Sequence, residues 1–178
     1  MSIQLGDYIK VFPDVIDHKF CSDLVKNKKY KYEPTMVGNG LLTQRKDTKI
    51  RNCLSAPLLK EDDKIIFQVI GNVIHKYIEE LKLDLPGEIE DSGYEILKYE
   101  KGGFYIQHTD DNRDRPRRIS ISLLINDEYE GGEMQFFKNY KVQGKIGSAI
   151  VFPSNFCYPH EVLPIESGTR YSIITWVF

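Results

Sequence analysis

The spacing of apolar residues changes character near residue 90 of this chain. Before that point the clearest pattern is helical, because apolar side chains recur three and four positions apart from about Asp62 to Leu81. The members of this stripe are Ile65, Ile66, Val69, Ile70, Val73, Ile74, Tyr77, Ile78 and Leu81. From Tyr94 onward the pattern becomes a series of short β-rich runs separated by Gly, Pro, Asn and Asp. The pattern predicts one long amphipathic helix followed by a β-rich region.

A shorter helix is expected nearer the N-terminus. Asp17 has the position and chemistry of an N-cap, and Phe20, Leu24 and Val25 follow it at helical spacing. Residues 8–12 before this helix are predicted to form a short strand. Helices and some strand therefore precede the β-rich region.

This order of elements predicts an α+β fold. Its expected core is a double-stranded β-helix, the jelly-roll or cupin-like architecture, with the helices packed on one sheet. The 178 residues have the size of one domain and show no repeat or linker that would divide them. We expect a single domain over residues 1–178, with about 1–90 as helical support and 91–178 as the β-core.

Composition limits the functions and the cellular compartment that are expected for this chain. The formal net charge of −2 gives no global electrostatic reason to expect nucleic-acid binding. Cys21, Cys53 and Cys157 form neither a disulfide framework nor a zinc motif, so reduced thiols in a cytoplasm are expected. The chain shows no signal-peptide pattern and no apolar run of membrane-spanning length, so we expect a soluble cytoplasmic protein without a membrane partner.

One short charged segment lies close to the candidate chemistry described next. Its basic residues are interleaved with aspartates, which favours a solvated loop. The arginines are Arg113, Arg115, Arg117 and Arg118, and the aspartates are Asp110, Asp111 and Asp114.

Candidate metal ligands appear at His108, Asp110 and His160. Residues two apart on a strand point to the same face, so one strand can present His108 and Asp110 to a single ion. A second histidine from a distant strand completes two imidazoles and one carboxylate, which is the ligand set of non-haem Fe(II) oxygenases. His18 and His75 are expected to be surface histidines instead.

Strand parity makes a further prediction about the segment before the ligands. If His108 and Asp110 face inward, Ile106 does too. Tyr105 and Gln107 then face the other way unless a β-bulge intervenes.

The surroundings of these residues resemble a known family. The segments that carry the resemblance are Tyr99–Asp110, Arg118–Asn126, Glu130–Glu133, Gly147–Pro153, Pro159–Val162 and Gly168–Trp176. In this order they resemble the prolyl 4-hydroxylase-like branch of the Fe(II)/2-oxoglutarate-dependent dioxygenases. The final segment is most similar to the oxygen-sensing prolyl hydroxylases and the related hydroxylases of bacteria and phages. The resemblance extends from Tyr94 to Phe178.

The resemblance implies a hydroxylase whose catalytic iron is held by His108, Asp110 and His160. It also implies 2-oxoglutarate and O₂ as cosubstrates, with ascorbate as a candidate reductant. The protein would hold the metal, orient the cosubstrate and keep water away from the oxidant.

Arg170 is the candidate for binding 2-oxoglutarate. Parity places it on one face of the last strand with Ser172, Ile174 and Trp176. A buried guanidinium needs an anion, and the distal carboxylate of 2-oxoglutarate fits that need through a bidentate contact. The alternative is a salt bridge to an acidic residue of the chain, either Glu133 or Glu161. Arg170-Tyr171-Ser172 resembles the Arg-x-Ser pair that binds this cosubstrate in related oxygenases.

Other cosubstrate contacts are implied by the resemblance. Tyr99 stands where family members often contact 2-oxoglutarate, and the alternative is a core tyrosine. Leu124 stands where the oxygen-sensing enzymes have a tyrosine that helps to hold the distal carboxylate. Ser172 and Ser122 are the candidates to replace that phenol.

The substrate is less specified than the metal. The related prolyl hydroxylases have a loop over the substrate where this chain has Lys31–Pro57, including a Gly38-Asn39-Gly40 turn. The residues expected at the substrate mouth are Arg51, Trp176, Tyr158 and Asn112.

The resemblance favours a prolyl residue in a peptide or protein as substrate. Other oxygenase substrates stay open, namely a free amino acid, another side chain or a nucleobase. Two other classes stay open as well, a metal cupin that does not use 2-oxoglutarate and a non-catalytic binding module.

Overall fold

The computed structural model describes residues 3–38, 44–85 and 87–178 of the chain. The described residues form a short 3₁₀ turn (Leu5–Tyr8) and two helices, α1 (His18–Lys26) and α2 (Lys60–Leu81). The strands in chain order are β1 (Lys10–Phe12), β2 (Glu33–Pro34), β3 (Arg51–Asn52), β4 (Leu54–Pro57), β5 (Glu95–Tyr99), β6 (Phe104–His108), β7 (Ile119–Leu124), β8 (Tyr129–Gly131), β9 (Met134–Phe136), β10 (Tyr140–Val142), β11 (Ala149–Pro153), β12 (His160–Val162), β13 (Ile165–Gly168) and β14 (Arg170–Val177).

Both predicted helices are confirmed. Asp17 caps α1, because its Oδ1 accepts a hydrogen bond from the backbone N–H of Phe20 at 2.8 Å. α2 begins at Lys60, slightly before the predicted start, and ends at Leu81. The predicted apolar stripe of α2 is largely covered, but Ile65 is 44% exposed and does not belong to it. The predicted strand at residues 8–12 is shorter than expected, since Tyr8 ends the 3₁₀ turn and β1 begins at Lys10.

The strands form two larger sheets that are antiparallel throughout. The major sheet has seven strands in the order β1-β11-β7-β14-β5-β4-β2, and the minor sheet has five in the order β10-β9-β12-β6-β3. A separate pair joins β13 and β8. The predicted α+β fold with a double-stranded β-helix core is confirmed, and the sheets do not close into a barrel.

The N-terminal part of the chain contributes to both sheets as well as to the helices. β1, β2 and β4 extend the major sheet, and β3 forms the edge of the minor sheet. No helix in the described ranges is both long enough and apolar enough to cross a membrane.

One face of the major sheet is covered by the helices. Ile66, Ile70 and Val73 of α2 share a buried cluster with Ile121 of β7 and Ile173 of β14. Burying such side chains is worth roughly 1.5–3 kcal/mol each, so this layer fixes the sheet against the helices. The opposite face of the sheet is therefore free to line a cavity together with the minor sheet.

Candidate active site

A cavity of about 960 Å³ lies between the two sheets. The major sheet contributes wall residues from β5, β7 and β14, and the minor sheet contributes residues from β6 and β12. Every residue predicted to bind metal or cosubstrate lines this cavity, namely His108, Asp110, His160, Tyr99, Ser122, Arg170 and Ser172.

The three candidate ligands come together on the minor-sheet side. His160 and His108 are direct cross-strand partners in β12 and β6, and Asp110 follows two residues after His108. The two imidazole nitrogens and the carboxylate oxygen lie within 4.8 Å of one another. Nε2 of His108 is 3.5 Å from Oδ1 of Asp110, and Nε2 of His160 is 3.7 Å from its Oδ2.

The tautomer of each imidazole suits metal binding. Nδ1 of His108 is 2.9 Å from the carbonyl oxygen of Ile106, and Nδ1 of His160 is 3.1 Å from that of Tyr158. Because a carbonyl can only accept, each Nδ1 carries the proton and each Nε2 presents a lone pair. Burial lowers the pKa of His160 to about 4, against the opposing effect of Asp110. His160 is therefore neutral near pH 7, which is the form that ligates metal.

Asp110 is positioned by a hydroxyl pair that the sequence analysis missed. Ser120 Oγ donates to Oδ2 of Asp110 at 2.7 Å and lies 2.8 Å from Ser154 Oγ. Burial acts to raise the pKa of Asp110, but His160, His108 and the Ser120 hydrogen bond together lower it well below its usual range. The parity of β7 could have indicated Ser120, because it lies two residues before Ser122 on the same face.

A β-bulge interrupts β6 and brings Tyr105 to the cavity side, the exception that the parity argument allowed. Opposite β12, His108 pairs with His160 while Tyr105 pairs with Val162, so three residue steps on β6 face two on β12. Ile106 lines the cavity, as strand parity predicted, and is 43% exposed there. The Tyr105 ring stacks on His108, with a ring-centroid distance of 3.5 Å.

Arg170 lies at the buried end of the cavity and is only 2% exposed. Its Nη1 donates to Ser172 Oγ at 2.9 Å, while its Nε has no hydrogen-bond partner among the described residues. The alternative salt bridges are not observed, because Glu133 pairs with Lys141 and Glu161 accepts from Gln135. A buried guanidinium without a carboxylate partner creates a site for an anion.

The backbone on both sides of Arg170 is fixed by a side chain that sequence reasoning missed. Asn126 donates to the carbonyl of Thr169 at 2.7 Å and accepts from the N–H of Tyr171 at 2.7 Å. Gly132 also matters here, because it has a positive φ of 69° and a Cβ would lie 3.1 Å from Cδ of Arg170. Asn126 and Gly132 therefore help to position Arg170.

The other cosubstrate candidates surround Arg170. Tyr99 is its cross-strand partner, and the Tyr99 ring centroid lies 5.5 Å from Cζ of Arg170. Tyr99 is 1% exposed, and burial raises the pKa of its hydroxyl. Leu124 does not line the cavity and instead shares a buried cluster with Phe136 and Phe152.

Three of the four residues predicted at the substrate mouth line the cavity. Arg51, Trp176 and Asn112 are on its wall. Tyr158 is not, and its predicted place at the mouth is wrong. It is 4% exposed and packs beside Phe137, because the chain turns there to present His160 to the cavity.

Arg117 also differs from its predicted place in a solvated loop. The sequence favoured a solvated loop for the arginines at 113–118, but Arg117 lines the cavity and stacks on Trp176 with Cζ 3.6 Å from the ring. Its Nη1 also donates to the backbone carbonyl of Asp110 at 3.2 Å. The aromatic partner comes from β14, far along the chain, so the loop composition gave no signal for this contact.

Two remaining expectations concern residues away from the site. The side chains of His18 and His75 are 53% and 72% exposed, which confirms them as surface histidines. In the predicted Gly38-Asn39-Gly40 turn, Asn39 and Gly40 lie outside the described residues.

Two histidines and one aspartate converging in the cavity of a double-stranded β-helix is the arrangement that non-haem Fe(II) oxygenases use. Residues 94–178 match the family described as the 2OG-Fe(II) oxygenase superfamily. This match spans the β-rich part of the chain, from Tyr94 to Phe178.

Curated relatives match this chain over part of their length. A PKHD-type hydroxylase from Alteromonas mediterranea is 35% identical over 75 residues, which cover 40% of this chain and 32% of that relative. A PKHD-type hydroxylase from Burkholderia ambifaria is 29% identical over 126 residues, which cover 63% of this chain and 55% of the relative. The chain therefore matches between about a third and about half of the length of these relatives.

Solved structures share the fold over nearly the whole chain. A viral collagen prolyl hydroxylase from Paramecium bursaria Chlorella virus-1, in complex with 2OG, has a TM-score of 0.69 and 19% identity, covering 97% of this chain and 96% of that one. A prolyl hydroxylase from Trichoplax adhaerens, in complex with a hypoxia-inducible-factor peptide fragment, has a TM-score of 0.74 and 17% identity, covering 96% and 83%.

Proposed function

We propose that the chain is a single-domain Fe(II)- and 2-oxoglutarate-dependent hydroxylase that acts on a prolyl residue in a peptide or protein. The observation that carries the proposal is Arg170. Its buried guanidinium has no carboxylate partner among the described residues and lies in the same cavity as His108, Asp110 and His160. A metal cupin without a 2-oxo acid gives no reason for such a cation.

The donor set fits a divalent iron. Both histidines are held as Nε2 ligands by backbone carbonyls, and Asp110 is ionised and accepts a hydrogen bond from Ser120. Three ligands on one side leave positions for a bidentate cosubstrate and O₂. His108, Asp110 and His160 would hold the metal and are the catalytic residues in this sense.

The surroundings of Arg170 fit the far end of 2-oxoglutarate. Arg170 would hold the distal carboxylate, with Ser172, Tyr99 and Ser122 as neighbours that donate hydroxyl hydrogen bonds. Ser172 already contacts Arg170, so it is the best-placed residue to compensate for Leu124.

The bound iron and cosubstrate supply oxidation by O₂, coupled to decarboxylation of 2-oxoglutarate to succinate and CO₂, with hydroxyl delivered to the substrate. The chain's own residues bind and orient. Asn126 and Gly132 fix Arg170, and Tyr105 covers one face of His108. The two sheets keep the reacting centre away from bulk water.

A peptide is the favoured substrate for two reasons. The cavity wall includes Arg51, Asn112 and Trp176, which together present both polar and aromatic surfaces to a substrate. The Trichoplax structure with the same fold holds a peptide fragment.

The test is an anaerobic titration of the protein with Fe(II), with and without 2-oxoglutarate. We expect the weak visible charge-transfer band of a 2-oxo acid chelated to iron only when both are present. Turnover is then followed with O₂, ascorbate and proline-containing peptides by succinate release and a gain of one oxygen in the peptide. Iron binding without the band would contradict the proposal and favour a metal cupin of other chemistry.

A further inference from the structure

We infer that the substrate carries a carboxylate that binds between Arg51 and Arg117 at the cavity mouth. This inference rests on the proposed function and names a chemical feature of its substrate. The two arginines form a second anion site, separate from the one at Arg170.

Arg51 contributes the first guanidinium. It begins β3 and lines the cavity, with Nε 3.2 Å from Sγ of Cys53 and Cζ 4.7 Å from the ring centroid of Tyr105. It forms no ion pair with any carboxylate in the part of the chain that the structure describes. The aromatic ring and the thiol orient the guanidinium without neutralising it.

Arg117 contributes the second guanidinium, and it also lines the cavity. Trp176 stacks on it, and the Asp110 carbonyl accepts from Nη1, but its Nε is buried and has no hydrogen-bond partner within the described ranges. Burial lowers the pKa of Arg117. A half-desolvated cation with an unused donor favours an acceptor that brings negative charge.

The charges deeper in the cavity do not neutralise these two arginines. In the proposed complex, the double positive charge of Fe(II) equals the double negative charge of 2-oxoglutarate. Asp110, which attracts Arg117, is then one negative charge against the three positive charges of Arg51, Arg117 and Arg170. A substrate carboxylate close to the reacting carbon would complement Arg51 and Arg117, and a planar carboxylate can accept two parallel hydrogen bonds from one guanidinium.

Within residues 3–38, 44–85 and 87–178, no carboxylate takes this place. Glu33, Glu95 and Asp111 line the outer wall, but all three are exposed and none forms an ion pair with either arginine in the described structure. By contrast, Arg45 on the same wall is exposed and lies 3.8 Å from a carboxylate oxygen of Asp47. Arg45 therefore serves as the matched control, because it is a cavity arginine that already has an anionic partner.

Two sources could supply the same carboxylate. One is the α-carboxylate of a C-terminal or free proline, and the other is an acidic side chain next to a prolyl residue inside a peptide. Matched ligand pairs separate them. N-acetylproline and N-acetylprolinamide differ in the α-carboxylate, and the acetylated amides of Pro-Asp and Pro-Asn differ in the side-chain carboxylate.

The experiment measures dissociation constants of these four ligands by calorimetry. The protein is loaded with Zn(II) and 2-oxoglutarate so that no turnover occurs. We expect the carboxylate member of at least one pair to bind about tenfold or more tightly than its neutral partner. Arg51→Gln and Arg117→Gln should each reduce this ratio to about threefold or less, while Arg45→Gln leaves it unchanged.

The inference is overturned if neither pair differs by more than about twofold in the parent protein, a comparison that requires no variant to fold. It is also overturned if Arg45→Gln reduces the ratio as much as the other two variants. Failure of the proposed function has a different signature, because it appears as absent 2-oxoglutarate binding. The dissociation constant of 2-oxoglutarate in the parent protein therefore separates the two failures.

Discussion

The Asp110 carboxylate has its two oxygens in different surroundings. Oδ2 accepts a hydrogen bond from Ser120, whose hydroxyl also contacts Ser154, and both serines are buried. Oδ1 has no such donor from the serines and faces His108. The hydroxyl pair therefore fixes the rotation of the carboxylate before any metal binds.

Ser120→Ala should weaken metal binding without unfolding the protein. The hydrogen bond that orients Asp110 is lost, and outer-shell changes of this kind typically cost about 10- to 100-fold in metal affinity. A titration with Co(II), followed by its visible absorption, measures the dissociation constant. Ser148→Ala, which removes another buried serine hydroxyl, is the control and should bind Co(II) like the parent. An unchanged affinity in Ser120→Ala would remove the positioning role.

Arg170→Ala should raise the dissociation constant for 2-oxoglutarate by about 100-fold or more. Truncation leaves the distal carboxylate buried without its cation, which costs roughly 3–5 kcal/mol. Arg170→Lys should lose less, because it keeps the charge but not the planar fork. The charge-transfer titration measures both, and Fe(II) affinity without cosubstrate should stay at the parent value. Parent-like 2-oxoglutarate binding in the Ala variant would mean that another group holds the cosubstrate.

The residues of the site differ in how well the sequence predicts their positions. His108 and Asp110 could be paired because two positions on a strand always share a face, whatever the rest of the fold does. Arg117 could not be placed, since its burial depends on Trp176 from a strand that is distant in sequence. Tyr158 was misplaced for the same reason, because only the packed structure shows that its ring turns away while its carbonyl serves His160.

At the scale of elements, α1 depends on a single cap. Asp17 Oδ1 satisfies one of the free N–H groups of the first turn, and Cys21 and Leu24 of the helix are buried in the core. Asp17→Ala should lower the free energy of unfolding by about 1 kcal/mol. Urea denaturation monitored by circular dichroism measures the change. Asp23→Ala, which removes an exposed carboxylate paired with Lys19, should stay within about 0.5 kcal/mol of the parent.

The elements that the sequence did not predict are the shortest ones. β2 and β3 have two residues each, too few to show any periodicity. They exist because β4 and β6 provide hydrogen-bonding partners. The bulge in β6 is similar, since it is defined by register against β12 and not by a residue type in β6.

At the scale of the molecule, the metal-free protein should lose stability as the pH falls. Burial lowers the pKa of His160 to about 4 in the folded state, from about 6.5 in the unfolded chain. Between these values the unfolded chain binds a proton that the folded protein does not, so the free energy of unfolding decreases as the pH falls from 6.5 to 4. The slope is up to about 1.4 kcal/mol per pH unit for one such group.

Urea titrations at several pH values from 7 to 4 measure this dependence. His160→Gln should have a shallower slope over the same range. His75→Gln removes an exposed histidine of α2 and should keep the slope of the parent. Equal slopes in the parent and His160→Gln would show that other groups control acid stability.

The position of β14 has a consequence for the speed of folding. It follows every other described strand in the chain, yet it lies in the middle of the major sheet, between β7 and β5. Neither neighbour is close to it in sequence, so the sheet cannot be assembled from successive local hairpins. To form these pairings, long segments of the chain must first close into loops, which lowers the conformational entropy before the strand contacts stabilise the sheet. This requirement slows folding. Arg170 sits on this strand, and so competence to bind an anion at the cavity floor should appear only in the last kinetic phase of refolding.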